Sequence, residues 1–186
     1  MAQYLKTELS MKTDKSKSSR RRWAGLAIAA VVLTASLSPA DEKNKKEAIQ
    51  WLDFEKAVAA AKKERKMLVV DFYTDWCGWC KVMDRDTYGN AEVAKYAKAK
   101  LIMSKVNAES KAMTRFQDNE LTYQQLAAGF GVRGYPATIF IGPDGEFITL
   151  VSGFVPADKF MPILEFLADG HYKTTKYEDF LAKRKS

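Results

Sequence analysis

The segment Asp71-Phe72-Tyr73-Thr74-Asp75-Trp76-Cys77-Gly78-Trp79-Cys80-Lys81 holds both cysteines of the 186-residue chain, two residues apart. Thiols at that spacing serve redox exchange, metal ligation, covalent haem attachment or a small structural disulfide. A structural zinc ion takes four ligands, and the chain offers two thiols and one distant histidine, His171. Haem attachment puts histidine directly after the second cysteine, where this chain has Lys81. A disulfide across so short a loop contributes little stability. With no third cysteine there is no long-range staple, and the pair is left for redox chemistry.

The elements around the pair give each thiol a role. The run MLVVDFY, residues 67–73, is β-branched and aromatic, as in a strand buried within a sheet. Cys80 to about Thr87 reads as a helix. Cys77 then sits at a helix N-terminus and Cys80 one turn inside. Unpaired backbone N–H groups and the positive end of the helix dipole stabilise a thiolate there, below the free value of about 8.5. Cys77 is therefore expected as the nucleophile and Cys80 as the resolving thiol.

Other segments are read the same way. Residues 49–51 suggest a short strand. Asp53 caps a helix whose Phe54, Ala57, Val58 and Ala61 share one face. AEVAKYAKAK is a helix and LIMSKVN a strand. Residues 109–130 read as helical, marked by Leu121, Leu126 and Phe130. ATIFI and EFITLVSG are strands joined by the turn Gly142-Pro143-Asp144-Gly145. A helix from about Pro156 to Ala168 closes the set, with Pro162 expected to kink it. This order predicts an α/β fold, a central mixed β-sheet flanked by helices on both faces.

The net charge of +7 carries less information than its location. Residues 1–40 hold seven Lys/Arg against two acids, so most of the excess lies there. The remainder has no basic patch that calls for nucleic acid. Basic KSKSSRRR leads into apolar WAGLAIAAVVLTASL and then SPA, the pattern of an export signal. Fifteen residues are short of the roughly 20 that span a bilayer. Either a cleaved signal peptide or an N-terminal membrane anchor fits, and both place the protein in the periplasm or otherwise outside the cytosol. The expected organisation is signal or anchor 1–40, charged leader 41–48, domain 49–170 and basic C-terminal tail 171–186.

The cysteine segment resembles the active-site segment of thioredoxins, an apolar strand and an aspartate leading into Trp-Cys-Gly-X-Cys-Lys. Gly131-Val132-Arg133-Gly134-Tyr135-Pro136-Ala137-Thr138 is similar to the stretch before the cis-proline strand of that family. Lys105 and Gly153 also fall at family positions, and the likeness covers roughly residues 48–168. The resemblance implies a thioredoxin fold and a thiol:disulfide oxidoreductase working through a Cys77–Cys80 couple. It implies Asp71 as proton relay to Cys80, with Lys105 as its partner, and a cis Pro136 facing the cysteines. Trp76, Gly78, Trp79 and Tyr135 would receive an extended substrate strand. No cofactor is implied. The partners are protein disulfides and an upstream dithiol electron donor, soluble or membrane-bound, and the protein would be a monomer. Trp79 between the cysteines departs from the family's usual residues, which leaves direction open. Reductase is the favoured reading; an oxidase or isomerase, or a non-catalytic binding module, are the alternatives.

Overall fold

The computed structural model describes residues 48–184. The expected signal segment 1–40 and nearly all of the leader 41–48 lie outside the described residues. Asp53 accepts a hydrogen bond from the Glu55 N–H and starts α1 (Phe54–Glu64), which buries Phe54, Ala57 and Ala61 of the expected face and leaves Val58 half-buried. β2 (Met67–Tyr73) follows and is buried along almost its whole length. It pairs in parallel with β3 (Leu101–Asn107) and antiparallel with β6 (Ala137–Ile141). β1 (Trp51–Leu52) joins the far side of β3, starting two residues and ending one residue later than expected, and β7 (Phe147–Ser152) the far side of β6. The sheet order is therefore β1-β3-β2-β6-β7, a mixed sheet with β2 at its centre.

Alternation along β2 sends its side chains to two cores. Leu68, Val70 and Phe72 pack with α1 and with Leu126 and Ala127 of α4 (Tyr123–Gly129). Met67 and Val69 pack with Val93 and Ala97 of α3 (Ala91–Lys100) and with Phe160, Leu164 and Leu167 of α5 (Ala157–Ala168). Asp71 shares this second face by parity. This buried carboxyl, two residues from the C-terminal end of the central strand, is the exception to an apolar pattern.

The helix expected from Cys80 to Thr87 has two parts. α2 (Gly78–Met83) is α-helical, and Asp84–Tyr88 continues it as one π-turn. Such a turn carries an extra residue and is frequent at functional sites. It closes against Gly89, where a Cβ would lie 2.5 Å from the Arg85 carbonyl oxygen. That neighbour is backbone and has little freedom to yield. Gly89→Ala is accordingly expected to cost about 1–3 kcal/mol of stability in urea unfolding, the scale of an overpacked interior. A variant as stable as wild type would show that the π-turn relaxes freely.

Two expectations are corrected. Residues 109–130 are not one helix: β4 (Met113–Phe116) and β5 (Asn119–Thr122) form a separate hairpin before α4. Its two-residue turn puts Gln117 at φ 54, and Phe116 packs against Phe54 at 5.6 Å. Thr122 and Gln125 then form a reciprocal capping box that begins α4. The T-x-x-Q pattern was visible in the sequence, but the apolar marks Leu121, Leu126 and Phe130 suggested one longer helix. Pro162 lies inside α5 without ending it, and its ring is buried. The stretch expected only as a basic tail is helical as α6 (Tyr177–Arg184). Phe166 meets Tyr177 and Phe180 at 5.1 and 5.3 Å, and Arg184 pairs with Glu165 at 2.6 Å. His171 is exposed and lies against Phe180, 4.9 Å between ring centres.

Candidate active site

β2 delivers the chain to a tight turn in which the Cys77 N–H donates to the Thr74 carbonyl at 3.1 Å. Cys77 caps α2: its Sγ accepts the Cys80 N–H at 3.0 Å. The two cysteines are joined as a disulfide, with Cα atoms 5.3 Å apart. Both are nearly buried, so a partner reaches them only through the surface immediately around them. The N–H that caps the sulfur in the disulfide is equally placed to stabilise a Cys77 thiolate once the bond opens.

Aromatic side chains form the surroundings. Trp76 is 68% exposed and Trp79 is 61% exposed. Trp76 stands edge-on to Tyr135 at 6.0 Å, and its indole N–H donates to both Glu109 carboxylate oxygens at 3.1 Å. Trp79 leans on Phe154, with ring centres 5.4 Å apart. The peptide between Tyr135 and Pro136 is cis, and Pro136 is buried. Gly78 is exposed, with open space where a Cβ would stand, so no close approach requires glycine there.

Asp71 lies inside the domain, 1% exposed. Burial pushes its carboxyl up from the ordinary 3.8 to about 6, the Lys105 charge offsets part of that rise, and the Asp84 charge adds to it. The β2–β3 register sets Lys105 opposite Asp71, and its Nζ lies 3.5 Å from Asp71 Oδ2. Lys105 makes a shorter contact with Asp84 on the π-turn, so the expected pair is a shared cation between two carboxylates. The same ammonium lies over the rings of Tyr73 and Trp51 at 5.0 and 5.4 Å.

The sequence reading named the residues of this centre but not all of their neighbours. Asp84, Tyr88, Glu109, Thr138 and Phe154 escaped it. Asp84 and Tyr88 depend on the phase of the π-turn, which no α-helical wheel gives. Glu109 and Phe154 come from loops whose course depends on the hairpin and on Gly153. Thr138 alone was within reach, two residues past Pro136 on a strand already assigned.

Residues 54–168 match the family model described as a thioredoxin-like domain. The thiol:disulfide interchange protein DsbD 2 of Pseudomonas aeruginosa is 30% identical over 98 residues, 52% of this chain and 15% of that protein. Disulfide bond reductase DsbH of Chlamydia pneumoniae is 28% identical over 109 residues, 58% of this chain and 64% of that protein. The chain thus spans less than two-thirds of the length of either relative. A solved thioredoxin-fold protein from Helicobacter pylori superposes with a TM-score of 0.58 at 22% identity, covering 70% of this chain and 92% of that one. This last likeness is one of fold. The family match takes in β2 through β7, the helices on both faces of the sheet and the cysteine turn between β2 and α2: the chain belongs to the thioredoxin-like domain family.

Proposed function

We propose that the protein is a thiol:disulfide oxidoreductase that reduces protein disulfides outside the cytosol through the Cys77–Cys80 couple. The observation that carries the reading is the buried Asp71, held at about 6, on the strand that runs into a helix-capping cysteine pair. A carboxyl with that proton affinity exchanges a proton with a thiol near neutral pH. The names of the DsbD and DsbH relatives support the chemistry, and the signal-like pattern of residues 1–40 supports the location.

The exchange proceeds in two displacements. The Cys77 thiolate attacks one sulfur of a substrate disulfide, forming the mixed disulfide and releasing the other substrate sulfur as a thiolate. Asp71 accepts the proton of the Cys80 thiol. The Cys80 thiolate then attacks Cys77 Sγ, forming the Cys77–Cys80 bond and releasing the second substrate thiolate. Two electrons pass to the substrate, and an upstream dithiol protein returns them. Lys105 shares its charge between Asp71 and Asp84 and limits how far burial raises the relay.

Reduced protein mixed with oxidised insulin and no other reductant is expected to transfer its electrons stoichiometrically; absence of transfer overturns the reading. Cell fractionation checks the location, and recovery in the cytosolic fraction contradicts it. Trp76, Gly78, Trp79, Tyr135 and Pro136 are the proposed substrate surface. Trp76→Ala is expected to raise KM for a protein disulfide by about 3–10-fold, the loss of one aromatic contact. A small disulfide such as oxidised glutathione touches less of that surface and is expected to feel the change far less. Equal loss for both substrates would mean that Trp76 shapes the cysteine turn and does not bind substrate.

A further inference from the structure

The exchange steps use the carboxyl of Asp71 but not the two hydroxyls packed near it. Tyr88 ends the π-turn and is buried. Its ring meets Trp51 and Phe160 edge-on at 5.0 and 5.7 Å, contacts that a phenylalanine would make equally well. What phenylalanine lacks is the hydroxyl, which lies 3.1 Å from Thr138 Oγ1 in the interior. Thr138 stands directly opposite Asp71 in the β2–β6 ladder. Their side chains leave the same face of the sheet, with Cβ atoms about 5 Å apart.

Polar groups buried together cost free energy unless they serve one another. Among the described residues, Asp71 Oδ1 has no hydrogen-bond partner in the disulfide state. The charged groups that act on the carboxyl are Lys105 from β3 and Asp84 from the π-turn, and Tyr88 is the neutral one. Thr138 adds a second neutral hydroxyl from β6, and Cys80 is the thiol served from α2. Burial, reinforced by the Asp71 charge, keeps the Tyr88 hydroxyl protonated far above its usual range. It is thus a permanent donor that does not compete for the travelling proton.

We propose that Tyr88 and Thr138 are positioning residues for Asp71, a hydroxyl chain in which Thr138 donates to the Tyr88 oxygen and Tyr88 donates to Asp71 Oδ1 as the carboxyl ionises. The chain holds the carboxylate ready to take the Cys80 proton, which moves from Cys80 Sγ to Asp71 while Tyr88 and Thr138 keep their own. The inference rests on the reading of Asp71 as proton acceptor.

The test is a carbon-13 NMR titration of the Asp71 carboxyl in the oxidised full-length protein, with Asp71→Asn to assign the signal. Tyr88→Phe, which keeps the ring, is expected to move the midpoint upward by about one pH unit, because a lost donor disfavours the ionised form. Thr138→Val is expected to move it less and in the same direction, and Thr138→Ser to restore the wild-type midpoint. The pH profile of mixed-disulfide resolution is expected to shift with the titration, which a packing role alone would not produce. A wild-type midpoint in folded Tyr88→Phe and Thr138→Val overturns the chain, whatever the exchange activity. Shifted midpoints in a protein that transfers no electrons to insulin would instead sustain the chain and overturn the functional reading.

Discussion

Replacing Cys80 with alanine is expected to turn the protein into a trap. Cys77 remains able to open a substrate disulfide, but no second thiol releases the product, so covalent complexes accumulate. Steady-state reduction of protein disulfides is expected to fall by about three orders of magnitude, as when one member of a covalent catalytic unit is removed. Cys77→Ala is expected to lose activity to the same extent without forming complexes, because it lacks the sulfur that attacks. Non-reducing electrophoresis reads the difference, and treatment with dithiothreitol should dissolve the complexes. Complexes formed by Cys77→Ala but not by Cys80→Ala would reverse the assignment of nucleophile and resolving thiol. Absence of complexes in both would favour a binding module over an enzyme.

Asp71→Asn is expected to raise stability and lower activity. The folded protein keeps the Asp71 proton to a pH of about 6, whereas the ordinary carboxyl of an unfolded chain releases it near 3.8. The native state therefore binds the proton more tightly, and stability falls as pH rises through that interval. Above it, the buried carboxylate costs the fold about 3 kcal/mol, a shift of about two units at 1.36 kcal/mol each. Asparagine removes this dependence. The variant is expected to be more stable than wild type at pH 8 by up to that amount, with the two converging as pH falls below about 4. Urea unfolding at the two pH values checks it, and a variant less stable at pH 8 would contradict the burial argument. Resolution of the mixed disulfide at pH 7 is expected to slow by about 100-fold, the lower end of what a positioned general base contributes. Its rate should also lose the inflection near pH 6. Unchanged resolution would remove Asp71 from the mechanism.

The parts of the protein governed by strong periodicity or by a residue with one conformational use were legible in the sequence. β2 and β6 are apolar at all but one position each because they are covered on both faces, and β3 opens on the apolar run Leu101-Ile102-Met103; such runs are hard to place elsewhere. The Asp53 cap and the face of Phe54, Ala57 and Ala61 gave α1. The cysteine pair stood out because it has no other use in a chain without further thiols. Less legible was what depends on partners distant in sequence. The β4–β5 hairpin is held partly from outside, by the Arg115 N–H donating to Glu55 at 2.6 Å and by Phe116 against Phe54. α6 owes its place to Phe166 and Glu165, and its own composition is nearly as suited to a solvated tail. The polar centre follows the same rule: Asp71 and Lys105 were visible as strand residues, whereas Asp84 and Tyr88 join them only through the π-turn.

The reduction potential of the Cys77–Cys80 couple, measured by equilibration against a dithiothreitol and glutathione series, tests the central claim most directly. A reductase of this family is expected to lie near the thioredoxin value of about −270 mV, and a strong oxidant near about −120 mV. The difference corresponds to roughly 7 kcal/mol, far outside the error of the equilibration. A value close to the lower figure is the predicted result and directs attention to the upstream dithiol that must keep the pair reduced. A value close to the higher figure would contradict the account and make the same cysteine pair a donor of disulfides.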